Sequence, residues 1–248
     1  MNKIYRQRER IRAGQMDTIQ RLRLDSALEL FQDITSVHSE EMGVSNRQMA
    51  AESGAYWVIT RTKVRFYEPL RFFDEIMAET WPNQPSSLVC GRNYRIFKGE
   101  RLAAEGRSEW MLLDRQSHSP RDVASTCYPL SEEHEQEKVL PESFLRMKEA
   151  FGPEDLAYEI RVRASDIDMS HHVNNVKYVR FMLDSFPVEE LEKMEVREFE
   201  IRYGRESREG DALQVWRRPT EDGWSLRVTR EDGTETAAGR IRLKQPSA

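Results

Sequence analysis

One segment of the chain occurs twice. Val64-Arg65-Phe66-Tyr67-Glu68-Pro69-Leu70-Arg71-Phe72-Phe73-Asp74-Glu75-Ile76 lies over Ile201-Arg202-Tyr203-Gly204-Arg205-Glu206-Ser207-Arg208-Glu209-Gly210-Asp211-Ala212-Leu213 at an offset of 137 residues. Arg65/Arg202, Arg71/Arg208 and Asp74/Asp211 are identical, and Val64/Ile201, Phe66/Tyr203 and Ile76/Leu213 are conservative. Further on, Ala103-Ala104-Glu105-Gly106-Arg107 resembles Ala237-Ala238-Gly239-Arg240. A repeated unit must close its own core or share one with its copy, so the repeat restricts the fold more than any single element does. The 248 residues suit two units of roughly 100 to 130 residues each.

The order of elements repeats as well. In the first half, residues 4–12 alternate as a strand does. Ser26-Ala27-Leu28-Glu29 has the spacing of a capping box, in which two side chains satisfy first-turn N–H groups. Ala27, Leu28, Phe31, Ile34, His38 and Met42 then recur at helical spacing, with Gly43 placed to end the helix. Strands are expected over 56–66, 75–81, 87–97 and 102–113, punctuated by Gly and Pro. The second half reads the same way: a strand over 158–163, a helix over 173–186 with Pro187 beyond it, and strands over 196–203, 212–217, 224–230 and 236–243. Between the halves, Ser131–Lys138 is acidic and lacks large apolar residues, which suits a linker. Periodicity alone thus predicts two α+β units, each a helix with an apolar stripe against several antiparallel strands.

Composition excludes several classes. With 38% apolar residues and 10 Phe, 8 Tyr and 5 Trp, the chain has enough material for a core. Its longest apolar run is five residues, Ala55–Ile59, against about 20 for a membrane-spanning helix. Met1–Arg6 has no apolar signal core, which argues against secretion, so a cytoplasmic location is expected. Cys90 and Cys127 are too few for a disulfide framework or a metal cage. A net charge of −5 argues against a nucleic-acid binder. Yet 30 of the 38 basic residues are arginine, whose rigid fork suits carboxylate and phosphate. No glycine-rich phosphate loop or dinucleotide fingerprint occurs. No cofactor and no metal are expected: adjacent His171 and His172 point apart in an extended segment, and His118 and His134 make no ligand spacing. His38 lies on the apolar side of its helix, where core packing accounts for it.

The most chemically loaded stretch is Asp166-Ile167-Asp168-Met169-Ser170-His171-His172-Val173-Asn174-Asn175-Val176-Lys177-Tyr178. Proton-sharing side chains precede an apolar helix whose first N–H groups have no intrahelical partner. Such an end carries partial positive charge and can stabilise a developing oxyanion. Plain N-capping by Asp168 or Ser170 beside solvated histidines is the alternative.

Asp168-x-Ser170-x-His172-Val173-Asn174-Asn175-Val-Lys-Tyr178 resembles the Asp-x-Asn-x-His-Val-Asn-Asn-x-x-Tyr signature of the acyl-acyl-carrier-protein (acyl-ACP) thioesterases of plants and bacteria. Ile201–Arg208 looks like the family's second signature, a strand ending in Arg-Glu, and Glu206 follows His172 by 34 residues, as in the family. Trp57–Arg61 and Ser108–Met111 extend the likeness to the first half. The resemblance implies an α+β, double (tandem) hot-dog fold, each unit a long helix wrapped by a curved antiparallel sheet. The units are expected at 1–128 (acyl-chain tunnel) and 157–248 (catalytic residues), joined by an acidic linker at 129–156. It implies hydrolysis of fatty acyl-ACP, which releases a free fatty acid and ends chain elongation. Asp168, His172 and Glu206 match the family's catalytic positions. Ser170 stands where the family has asparagine, and Ser207 where plant members often have cysteine. Asn174 and Asn175 are possible supporting residues.

The chemistry suits these types. Glu206 would activate water as a general base or attack directly. His172 would orient it and help protonate the departing thiolate, Asp168 would fix the histidine or the helix end, and N–H groups of residues 173–175 would face the carbonyl oxygen. The first repeat has Pro69 at the position of Glu206 and no His-Val-Asn-Asn before its helix, so one half alone keeps the reactive groups. Phe31, Ile34 and Met42 would wall the acyl tunnel or fill ordinary core. The implied partner is an acyl carrier protein bearing an acyl-phosphopantetheine arm. Arg6, Arg8, Arg10, Arg12, Arg202, Arg205 and Arg208 are candidates for steering that acidic protein. An acyl-CoA thioesterase and a non-catalytic acyl-sensing protein are the alternatives on the same fold. Monomer and homodimer both fit.

Overall fold

The computed structural model describes residues 3–132 and 134–244. The first half contains β1 (Tyr5–Arg10), α1 (Leu24–Glu41), α2 (Asn46–Ser53), β2 (Ala55–Phe66), β3 (Glu75–Pro82), β4 (Cys90–Lys98), β5 (Arg101–Asp114) and the short β6 (Pro120–Arg121). The second half contains β7 (Leu156–Arg161), α3 (Asn175–Leu183), α4 (Val188–Lys193), β8 (Val196–Tyr203), β9 (Ala212–Thr220), β10 (Gly223–Arg230) and β11 (Glu235–Leu243). All strands join one antiparallel sheet in the order β1-β3-β4-β5-β2-β8-β11-β10-β9-β7, with β6 beside β5. Read from its two edges inward, this order is one pattern written twice, with β1 matching β7 and β2 matching β8. Each half lays its sheet against one helix, the expected double hot-dog arrangement.

The repeat aligned in the sequence is the seam. β2 pairs with β8 through Arg61↔Arg202, Thr62↔Ile201, Lys63↔Glu200, Val64↔Phe199 and Arg65↔Glu198. Side chains alternate across a strand, so Val64, Phe199 and Ile201 enter the core shared with α1 and α3, while Lys63 and Glu200 face the other side. There Lys63 Nζ sits 2.9 Å from Glu200 Oε1, and both side chains are almost wholly buried (2% and 1% exposed). Arg65 binds Glu198 beside them.

The second repeat pair explains how each helix docks. A Cβ at Gly106 would lie 2.3 Å from the Phe31 ring, and one at Gly239 would lie 2.8 Å from the Met182 sulfur. Glycine lets α1 and α3 lie directly on β5 and β11. The helices touch one another, and Arg180 of α3 reaches Asp25 of α1 at 2.8 Å.

Two helix boundaries differ from expectation. α1 begins at Leu24, its N-cap Arg23 makes no side-chain cap, and Ser26 lies buried inside the first turn with its hydroxyl unpartnered. Tertiary contacts override the Ser26–Glu29 box: Leu22 N–H donates to Leu70 O and fixes the chain before the helix, and Asp25 takes Arg23 and Arg180. α3 is shorter than 173–186, because Val173 is still extended in a bridge with Ile167 and Asn174 is the cap. Periodicity also missed α2 and α4, whose eight and six residues are too short to show an apolar stripe. Gly43, at φ +73°, follows the end of α1 as expected.

Residues 139–151 run over the outer face of the sheet. Val139 and Leu140 pack on Trp81. The Phe144 ring lies beside Arg61, Lys63 and Arg107, the last at 4.7 Å, and Leu145 N–H donates to Glu200. Phe151 stacks on Arg227 at 4.4 Å. This segment covers the seam ion pair.

Replacing one partner of a buried pair strands the other. Lys63→Met should cost about 3–5 kcal/mol in urea-unfolding free energy, and adding Glu200→Leu should restore most of it. A second test concerns Asp25. Burial opposes its charge, but hydrogen bonds and ion pairs from Arg23 and Arg180 outweigh this and hold its carboxyl below the usual range. Its folded pKa is depressed, so its contribution to stability is complete above the unfolded value of about 4 and fades as pH falls through the folded one. The stability gap between wild type and Asp25→Asn should therefore be flat above about pH 5 and shrink in more acid solution.

Candidate active site

Pairing between β2 and β8 ends at Arg61↔Arg202, and beyond that point the strands part. β2 carries an irregularity between Ile59 and Arg61 in its pairing with β5. β8 instead stays with β11, since Gly204 N–H donates to Thr236 O and Arg205 N–H to Glu235 O. Gly204 permits this approach: a Cβ there would meet Glu235 O at 2.4 Å. The gap opens on a small, mostly apolar pocket lined by Leu28 and Phe31 of α1, Ile59 of β2, Trp110 of β5, Tyr203 of β8 and Asn175 of α3. Of the three expected tunnel residues, Phe31 lines this pocket; Ile34 and Met42 are buried in the core and do not.

Two of the expected reactive side chains meet in the loops just before α3 and just after β8. His172 Nε2 is 3.0 Å from Glu206 Oε1, with the histidine one-quarter and the glutamate one-half exposed. An ionised carboxylate only accepts hydrogen bonds, so this contact places the imidazole proton on Nε2, directed at Glu206. Arg208 lies 3.4 Å from His172 Nε2 and 3.7 Å from Glu206 Oε1. Arg230 hydrogen-bonds the Glu206 backbone carbonyl. Val173 N–H donates to Ser207 O at 2.9 Å and so ties the two loops together. The Tyr178 hydroxyl accepts from Ser207 N–H beneath them.

The other expected site residues have different places. The Asp168 side chain accepts from Ser170 N–H at 2.8 Å, and its main chain binds those of His171 and His172. Asp168 holds the turn that presents His172 and does not touch the imidazole. Ser170 is exposed, and among the described residues its hydroxyl makes no hydrogen bond to His172 or Glu206. Asn174 is the N-cap of α3, its side-chain amide oxygen accepting from Val176 N–H at 2.9 Å. Val173 and Asn174 N–H are committed to Ser207 O and Asp166 O, so neither faces a substrate. Among the three expected oxyanion donors, Asn175 alone has its N–H without a hydrogen-bond partner among the described residues, and it lines the pocket. The Ser207 hydroxyl is buried and unpartnered.

The first half keeps the framework without the chemistry. Asp17 N–H donates to Arg21 O as Asp168 N–H does to His172 O, and Leu22 N–H meets Leu70 O as Val173 N–H meets Ser207 O. Arg21 stands where His172 does, and gives its guanidinium to Asp17 and to the Leu191 and Met194 carbonyls at the end of α4.

The arginine candidates do not form one face. Arg6, Arg8 and Arg10 lie on edge strand β1, with four strands between them and β8. Arg6 and Arg10 pair with Glu79 and Glu75, Arg12 is 3.9 Å from Glu9, and Arg202 is 2.5 Å from Glu235. Arg205 and Arg208 flank Glu206, and Arg205 and Arg8 are exposed without an ion-pair partner among the described residues. Much of the arginine excess instead builds cross-strand ion pairs on the outer face, such as Arg65–Glu198, Arg242–Glu198 and Arg95–Glu105. His38 is 1% exposed and 3.1 Å from Arg92, in the core as expected. Among the described residues no group of His, Cys, Asp and Glu could hold a metal ion, and no helix is long and apolar enough to cross a membrane.

Sequence reasoning set aside His118, which the fold brings to a hydrogen bond with the Tyr56 hydroxyl. It also overlooked Arg230 as a partner of Glu206. No local motif marks either contact.

Comparison with known proteins gives a consistent result. Residues 2–129 match the family described as acyl-ACP thioesterase N-terminal domain, and residues 152–245 the one described as acyl-ACP thioesterase C-terminal domain. The oleoyl-acyl carrier protein thioesterase of Coriandrum sativum is 22% identical over 96% of this chain and 69% of that protein. One from Arabidopsis thaliana is also 22% identical, over 93% of this chain and 68% of that protein. An acyl-ACP thioesterase structure from Bacteroides thetaiotaomicron superposes with a TM-score of 0.88 at 20% identity, and the 12:0-ACP thioesterase of Umbellularia californica with 0.84 at 17%; both cover 98% of each chain. These structures share the fold of this chain.

An Asn174→Ala variant tests the local architecture. Loss of the α3 cap should cost about 1 kcal/mol in chemical denaturation, while Ser170→Ala, at an exposed turn, should stay within about 0.5 kcal/mol of wild type.

Proposed function

The chain belongs to the acyl-ACP thioesterase family, a family of thioester hydrolases, and from this premise we propose that His172 and Glu206 carry out the hydrolysis of fatty acyl-ACP at the gap between β2 and β8. The carrying observation is the 3.0 Å contact of His172 Nε2 with Glu206 Oε1, close to an apolar pocket that Asn175 and Tyr203 help to line and that suits an acyl chain.

The thioester carbonyl carbon lies at the pocket mouth. Glu206 removes a proton from water as the water oxygen bonds to that carbon, or attacks the carbon itself to give an anhydride that water then opens; the C–S bond breaks, its electron pair stays on sulfur, and the released thiolate takes up a proton. The accessible Glu206 carboxylate and its fixed partner suit either role. His172 donates Nε2–H to Glu206 and holds one oxygen in place, which leaves the other for the nucleophile. Asp168 acts through the turn, as a positioning residue. Asn175 N–H, at the positive end of α3, is directed to the developing oxyanion. Ser170 has no part in this arrangement, which accounts for the absence of the family's asparagine there without loss of the His–Glu pair.

The unit of residues 1–128 supplies pocket walls from α1, β2, β4 and β5, the segment 129–156 connects, and residues 157–248 supply the reactive groups. The partner is an acyl carrier protein with its acyl-phosphopantetheine arm, the free fatty acid is the product, and chain elongation ends there. Arg205 and Arg208, exposed beside Glu206, are placed to meet an acidic carrier. The seam already joins two repeats within one chain, so a monomer is competent. Cys90 and Cys127 are free thiols, which suits the cytoplasm.

Glu206→Gln keeps the side-chain shape and removes the base. Hydrolysis of acyl-ACP should fall by about 10²–10⁴, with the thermal midpoint close to wild type because Glu206 is half exposed. A near-normal rate would sink the assignment. The same assay with acyl-CoA of equal chain length separates the carrier: faster turnover of CoA esters would favour a CoA substrate, and tight acyl binding without turnover would favour an acyl sensor.

A further inference from the structure

The loop between β8 and β9 is held around Glu206 from four sides. Arg205 N–H donates to Glu235 O of β11, Ser207 N–H donates to the Tyr178 hydroxyl of α3, and Ser207 O accepts from Val173 N–H of the His172 loop. The fourth hold is a side chain: the Arg230 guanidinium, at the end of β10, hydrogen-bonds the Glu206 carbonyl oxygen. Its Nε lies 3.7 Å from Asp211 Oδ2, the same oxygen that accepts from Arg208 N–H at 2.9 Å. The fork of one arginine thus joins two points of the loop, Glu206 and, at its close, Asp211. The Glu206 side chain is half exposed and meets only His172 and Arg208 among the charged groups described. The place of its carboxylate therefore depends on how firmly its backbone is held.

The duplication supplies an internal control. Arg230 lies across from Leu213 of β9 as Lys98 of β4 lies across from Ile76 of β3. Leu213 and Ile76 are aligned in the repeat, and so are Asp211 and Asp74. Lys98 Nζ sits 2.7 Å from Asp74 Oδ2, so a cation meets this aspartate in both halves, and an arginine is not needed for that contact. The first half lacks the second branch. Pro69 stands at the position of Glu206, and among the described residues its carbonyl accepts no hydrogen bond. The proline ring already fixes φ at about −65°. Glutamate in its place gives the loop a carboxylate but returns that freedom to the backbone. We propose that Arg230 is a positioning residue for the hydrolysis. Its guanidinium makes the contact that Lys98 makes in the first half and also fixes the Glu206 backbone, so that the carboxylate meets His172 Nε2 at 3.0 Å. A lysine carries its donors on one nitrogen. At this position it would satisfy Asp211, as Lys98 satisfies Asp74, and leave the Glu206 carbonyl unheld.

This proposal rests on the reading of Glu206 as the reactive carboxylate, and one set of variants separates the two. Arg230→Lys, its first-half counterpart Lys98→Arg, Glu206→Gln and the Glu206→Gln/Arg230→Lys double variant are compared by kcat and KM on acyl-ACP and by urea unfolding. Arg230→Lys should lower kcat by about 10- to 100-fold, the effect of a displacement of about 1 Å at a reacting group, and leave KM within about twofold. Its urea midpoint should stay at the wild-type value, because lysine keeps a cation on Asp211. Lys98→Arg should leave kcat unchanged. In the Glu206→Gln background, Arg230→Lys should cost less than about twofold more, since residues that act through one group do not add. An unchanged kcat in Arg230→Lys, a loss matched by a fall in the urea midpoint, or the same fold loss with and without Glu206 overturns the positioning role while Glu206 stands. A near-normal rate in Glu206→Gln overturns the underlying reading instead.

Discussion

The pairing of β2 with β8 is the constraint on which the rest depends. It merges two five-stranded sheets into one and lets α1 and α3 share a core. It is held on one side by Val64, Phe199 and Ile201, and on the other by Lys63 and Glu200, which are buried and therefore tolerable only together. Its limited length matters as much. The strands part after Arg61↔Arg202, and the gap opens on the apolar pocket that Asn175 and Tyr203 help to line.

The two halves show what a duplicated unit can keep and what it can lose. Turn geometry is kept: Asp74 accepts from Arg71 N–H as Asp211 does from Arg208 N–H. The chemistry is not. Pro69 replaces Glu206, and Arg21 replaces His172 and anchors α4 instead of serving a reaction. Even backbone strain differs. Gly210 takes φ +87°, while its counterpart Phe73 takes φ +70°, where a bulky side chain is costly. The first unit contributes packing: its α1, β2, β4 and β5 line the pocket.

The strands and the two long helices were legible because each buries one face, and burial on one face writes a period into the residues. The His172 loop was legible too, since Asp168, His172 and Asn174 lie within one turn and form one motif. Other features were not. The capping box at Ser26 has the correct spacing, yet contacts from Leu70 and Arg180, distant in the chain, start the helix earlier. The arginines were candidates for steering a carrier protein, but Arg6, Arg10 and Arg202 pair with carboxylates on neighbouring strands, and sheet order separates β1 from β8. Tyr56 and His118 stand 62 residues apart, a separation at which no local pattern can register a contact.

The amino-acid order by itself determined that this chain is a duplicated α+β unit whose His-Val-Asn-Asn helix start occurs in one half only, because periodicity, the repeated strand-and-turn segment and that helix start are all local properties of sequence. Only the tertiary structure decided which N–H group remains for an oxyanion and where the arginine charge goes. Each of these depends on pairing between segments more than a hundred residues apart or on competition among hydrogen-bond partners. Both are settled by register, curvature and burial once the sheet has closed.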